Sequence, residues 1–192
     1  FYRDGTLLEP MSRAIKYMLR VQHEDGTIDL YSTNFHSTPD TAFIVKRMAP
    51  IYLILRRMGW EEIQPFLTLV DTFLMRAGQA LISGGIHTPN HRWVVSAALA
   101  WLNHIEPDPA YVHRIDEWLA EGIDLDPDGQ FNEKSTSVYT PLTDRVFITM
   151  ARLLNRPALL DPVRKNLEMM QYYMHPNGEV VTEASGRQDK YN

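Results

Sequence analysis

The chain contains no cysteine, so disulfides and thiolate chemistry are excluded, though that absence leaves the compartment open. It has no apolar run near the ~20 residues that a bilayer-spanning helix needs, so a membrane is not an expected partner. It lacks an excess of positive charge. Its 19 Lys and Arg against 24 Asp and Glu leave −5, which argues against a nucleic-acid partner. It opens at Phe1, which is not a natural start, so the N-terminus says nothing about targeting. What is present is ordinary globular composition, 192 residues at 44% hydrophobic and 22% charged, read as one domain over 1–192.

One signal recurs. Thr38-Pro39, Thr88-Pro89 and Thr140-Pro141 are each followed by an apolar run, at offsets of 50 and 52 residues. Thr is a good N-cap, and proline suits the first helical position, where a missing N–H costs nothing. A period near fifty with two helices per unit predicts an array of helical hairpins.

Taken in order, residues 9 to 22 show helical spacing of apolar positions, and Asp25-Gly26 is a turn before a short extended piece through Tyr31. Residues 32 to 37 read as a loop. The segment from 39 to about 58 is apolar almost all round, which predicts a buried helix kinked at Pro50. Residues 61 to 82 predict an amphipathic helix. The pattern repeats with an apolar helix over 89 to 104 and a charged one over 110 to 121. After a loop holding Asp128-Gly129, an apolar helix over 141 to 154 and an outer one over 158 to 174 follow, then a turn and strand at 177 to 181. Each unit is loop, inner helix, outer helix. The expected fold is therefore all-α, an incomplete (α/α) toroid of helical hairpins with short β segments in the loops. The chain ends near where the next inner helix is due, which reads as a piece of a longer array with exposed apolar inner surface and a tendency to self-associate.

In such an array the Thr-Pro ends line one mouth. The first unit brings His36 and Asp40, the second His87, Asn90 and His91, and the third Gln130, Glu133 and Tyr139. Asn90 and His91 fall in a first helical turn, beside unpaired N–H groups and the positive end of the dipole, a place suited to an anion. An amide, an imidazole and a phenol suit removal of a proton next to a carboxylate, as at C5 of a uronic acid sugar. Asn90 offsets the developing enolate-like charge, His91 takes a proton at neutral pH, and Tyr139 donates or accepts one at the glycosidic oxygen. This chemistry requires neither metal nor cofactor.

Asn90-His91, followed by Asp128-Gly129-Gln130-Phe131-Asn132-Glu133 and Tyr139, resembles the toroid domain of heparinase II/III-like and alginate-lyase-like polysaccharide lyases. The resemblance covers roughly residues 24 to 192. It implies β-elimination on an acidic polysaccharide or oligosaccharide, with Asn90, His91 and Tyr139 in the catalytic roles, and a periplasmic or extracellular location.

Other readings stand beside these. A hydrolase on the same scaffold would draw two acids from Asp40, Asp126, Asp128 and Glu133. A third class is a non-catalytic array that binds glycan or protein. Trp93 is a candidate for stacking a sugar or for the core. His87 and His91, four apart, have zinc-ligand spacing without an evident third ligand, and Asp124, Asp126 and Asp128 match a calcium loop only in part. Arg187 and Tyr191 sit in a polar segment expected to reach the mouth.

Overall fold

A computed structural model of the chain describes residues 3–187, so Tyr191 lies outside the described residues. The chain is mostly helical. Helix α1 (Leu8–Val21) leads to a hairpin of β1 (Ile28–Leu30) and β2 (Asn34–Ser37), then α2 (Thr38–Arg57) and α3 (Gln64–Ser83). Helices α4 (Pro89–Ile105), α5 (Pro109–Ala120), α6 (Tyr139–Leu153) and α7 (Asp161–Met170) complete the order. No helix among the described residues is long and apolar enough to cross a membrane.

The centre is α4. From Trp93 to Ala100 no side chain is more than 1% exposed, so every side of that helix is covered. It packs on α2 and α6 within an inner layer and on α3 and α5 outside it. Three alanines at 97, 98 and 100 let the neighbouring helices approach closely. The inner helices run in one direction. Near their N-termini Phe43 of α2 meets His91 of α4, and near their C-termini Arg57, His104 and Arg152 line one cavity. All three helix starts therefore lie at the same end.

Local chemistry explains the Asp-Gly turns that precede two of the inner helices. Gly26 and Gly129 both have positive φ, +87° and +100°. A Cβ on Gly26 would lie 2.0 Å from the Arg76 carbonyl oxygen of α3, and one on Gly129 would lie 2.6 Å from that of Lys165 on α7. Only glycine lets each turn rest on an outer-layer backbone. Side-chain amides fasten both turns. Gln22 donates to the Gly26 carbonyl and Asn166 to that of Gly129, at 2.9 and 2.8 Å.

Several expectations change. The loop over 32 to 37 is mostly strand, because β2 pairs antiparallel with β1, Ile28 opposite Ser37. The three Thr-Pro pairs are not equivalent caps. Ser37, not Thr38, caps α2; Thr88 precedes α4 as expected; Thr140 lies inside α6, whose first N–H, on Tyr139, donates to Ser135 Oγ at 2.9 Å. As expected, Pro50 falls inside α2, which continues to Arg57. That helix is not buried all round, since Ile51 and Ile54 are 55% and 63% exposed. The last outer helix is in three parts, with 3-10 turns at Pro157–Leu160 and Gln171–Tyr173 flanking α7. The final turn makes only an isolated bridge between Met174 and Val180.

Candidate functional site

The mouth end collects side chains from all three units. Pro89 occupies the first position of α4, which sets Asn90 and His91 in its first turn. Thr88 Oγ1 accepts from Asn90 Nδ2 at 3.0 Å instead of capping the helix backbone. The exposed N–H of that turn finds a carboxylate from far along the chain: the Asn90 N–H points at Glu133 Oε2 at 3.5 Å. The anion position anticipated at this helix N-terminus is thus held by the protein's own Glu133, a buried side chain 3% exposed.

Glu133 is tied on its other oxygen to Arg187 at 2.5 Å. The Arg187 guanidinium lies over the Tyr139 ring, 4.6 Å from its centroid. The segment that carries Arg187 is clasped to the Glu133 loop, with the Gly186 N–H and Ser185 Oγ both donating to the Lys134 carbonyl. Asn90, Glu133, Arg187 and Tyr139 therefore form one connected group, in which Arg187 joins the Glu133 carboxylate to the Tyr139 ring.

His91 is half-buried between Phe43 and His87, whose rings meet it edge-on at 6.2 and 6.1 Å. Burial pushes its pKa down, with Asp40 and Glu133 pulling it up and His87 and Arg187 adding to the depression. The net effect keeps the imidazole neutral at neutral pH, the state a general base needs. Asn90 Oδ1 and His91 Nδ1 are both buried and have no hydrogen-bond partner among the described residues. Unsatisfied buried polar atoms are costly, and Gln22, Asp144 and Asn166 carry them too, so the pair at α4 is a cost in stability that does not by itself mark a ligand site.

Not every anticipated residue joins this group. His87 is exposed at its edge, beside a shallow recess lined by Ile86, His87, Thr88, Pro89 and Arg92. Asp40 faces its own helix start, where Ser37 Oγ donates to its carboxylate. Trp93 is a correction: it is fully buried, packed on Phe147 at 4.8 Å, with its indole N–H donating to Asp124. No sugar can stack on it. Gln130 is also displaced, since its turn rests on α7 and not on α4. Its backbone N–H and that of Asp128 both donate to Asp126 Oδ1, which makes the acidic run an Asx-type turn. Asp124 is committed to Arg92 and Trp93. No group of three His, Cys, Asp or Glu side chains among the described residues is placed to hold a metal ion.

His36 belongs to a second cluster. Its ring stacks on His23 at 3.8 Å, with His36 Nδ1 at 2.7 Å from Asp25 Oδ2 and His23 Nε2 at 2.8 Å from Asp29 Oδ1. Burial opposes ionisation of Asp25, but hydrogen bonds from Thr27 and His36 outweigh it and hold its carboxyl down at about 2. This knot ties the hairpin ahead of α2 together. Sequence reasoning missed it, along with Phe43, whose helical spacing reads as core. The Asp25-Gly26 turn was the available signal, because it repeats Asp128-Gly129.

No protein-family model, no curated protein and no solved structure matches this chain.

Proposed function

We propose that the mouth cluster is the active site of a polysaccharide lyase acting on a uronate-containing glycan, and that the two-layered helical array is an arc of an (α/α) toroid of the heparinase II/III-like and alginate-lyase-like kind. The observation that carries the reading is the convergence of a neutral-leaning His91 with Asn90, Glu133, Arg187 and Tyr139 at one end of the inner layer. In this reading the Asn90 amide offsets charge on the uronate carboxylate as the C5 proton leaves for His91. The C4–O bond then breaks, a C4–C5 double bond forms, and Tyr139 delivers a proton to the departing glycosidic oxygen. Glu133 has a different part from the one expected of it. Its carboxylate holds the helix start and Arg187, so it shapes the site without reaching a sugar. A periplasmic or extracellular setting goes with such a substrate, and the exposed Ile51 and Ile54 favour self-association of the isolated chain.

The test is product chemistry in the full-length protein. Elimination leaves a conjugated uronate that absorbs in the ultraviolet, and absorbance should rise with each cut. Cleavage without absorbance identifies a hydrolase instead, drawing two acids from Asp40, Asp126, Asp128 and Glu133. Tight binding of acidic glycan with no cleavage of any kind identifies a binding module.

A further inference from the structure

Charge is unevenly distributed between the layers. Helices α2, α4 and α6 hold seven Lys and Arg but only two acids, Asp40 and Asp144, in a chain whose net charge is −5. Outside that layer Arg13, Arg114, Arg156, Arg164 and Arg187 each hold a carboxylate, Arg20 and Arg76 hold none among the described residues, and within it Arg92 holds Glu121 and Asp124. At the C-terminal end of the inner layer, Arg57 and Arg152 hold none among the described residues. No acid lies in the C-terminal half of α2, α4 or α6.

These two arginines face a cavity of about 380 Å³, the size of a small-ligand pocket. Trp101 and His104 of α4 form part of its wall, and Leu53 and Ile54 of α2 supply apolar surface. Cations in a last helical turn also offset the helix dipole, about half a negative charge per helix. That effect explains why arginines are found here. It does not explain a recess with an aromatic wall between them, on three helices whose C-terminal halves hold no acid, Glu106 lying just past the end of α4.

We propose that this cavity binds a small organic anion, a carboxylate carried on a flat apolar ring. Arg57 and Arg152 approach the carboxylate from α2 and α6, where a guanidinium fork matches its two oxygens. The ring lies against Trp101, Leu53 and Ile54. The site is at the far end of the inner layer, roughly 17–21 Å from Asn90 along α4, and does not depend on the lyase reading.

The probe is 2-naphthoate, with uncharged 2-naphthamide as its shape-matched control, titrated into the protein by NMR. Saturation below ~1 mM is expected, with shifts at the Trp101 indole N–H and the Arg57 and Arg152 amides and none at His91 or Tyr139. The amide should bind at least about tenfold more weakly, a loss of roughly 1.4 kcal/mol. The double variant Arg57→Gln/Arg152→Gln should lose naphthoate by a similar factor with an unchanged thermal midpoint. Leu153→Trp, which fills the cavity, should abolish binding while leaving both arginines in place. The proposal is overturned by equal affinity for acid and amide, by undiminished binding in the double variant, by shifts confined to the Asn90 end, or by no saturation at ~10 mM.

Discussion

Helices α2 and α4 both begin at Thr-Pro, yet they satisfy their first turns in opposite ways. The start of α2 is self-contained. Ser37 accepts from the Asp40 N–H and donates to the Asp40 carboxylate, a reciprocal arrangement closed within four residues. The start of α4 has no cap of its own. It takes Glu133 from 43 residues away, and leaves Asn90 Oδ1 and His91 Nδ1 without partners. A helix start that closes on itself has nothing left to offer a ligand. One that depends on a distant loop keeps polar groups in reserve, and that is where the chemistry is expected. The two starts are neighbours, since Phe43 of α2 and His91 of α4 meet edge-on at 6.2 Å, yet they are wired differently.

The sharpest way to break this contrast is catalytic. Tyr139→Phe in the full-length protein should lower turnover on a uronate glycan by about 10²–10⁴-fold with the thermal midpoint nearly unchanged, and Asn90→Ala should lower it as well. A Tyr139→Phe enzyme of normal rate and reduced midpoint would make the α4 end merely structural, like the α2 end.

Asp144 tests what an inner-layer carboxylate does away from any helix start. It is 7% exposed with Oδ1 unpartnered, and burial pushes its pKa up to about 7, slightly eased by Arg145. A pKa raised in the folded state means that the contribution of this group to stability is fully present below pH about 4 and is lost as pH rises through 7. Asp144→Asn should therefore stabilise the protein at pH 8, by at most roughly 4 kcal/mol, with the gain fading toward pH 4. Denaturant titration at the two pH values measures it. A variant destabilised at pH 8 but not at pH 4 would mean that the carboxylate is needed in charged form.

Glu133→Ala should cost about 1–3 kcal/mol, because the buried Asn90 N–H loses its acceptor while Arg187, 40% exposed, turns to water. Ser37→Ala should cost only about 1 kcal/mol, the usual value of a local cap. Thermal midpoints in the opposite order would reverse the comparison and make the α2 start the more dependent one.

Much of the site was readable before the fold. Asn90, His91, Glu133 and Tyr139 stand out because their residue types, helix-start position and loop spacing are local properties. Trp93 was ambiguous for the same reason. A large aromatic at helical spacing serves a core or a sugar equally well, and only its neighbours decide. Gln130 and Glu133 lie on one loop, and nothing in their order says that the first side of that loop faces α7 while Glu133 turns to α4.

By itself the sequence determined the helices, the fifty-residue recurrence and the Asp-Gly turns, because propensity, capping and periodicity act over a few residues. Tertiary structure alone decided that three similar Thr-Pro pairs would become three different helix starts. It also decided that a carboxylate 43 residues distant would hold the first turn of α4, and that Arg57 and Arg152 would line one recess at the opposite end. The reason is range. A cap is chosen by whichever acceptor lies nearest in space, and that distance is set only when the helices have packed.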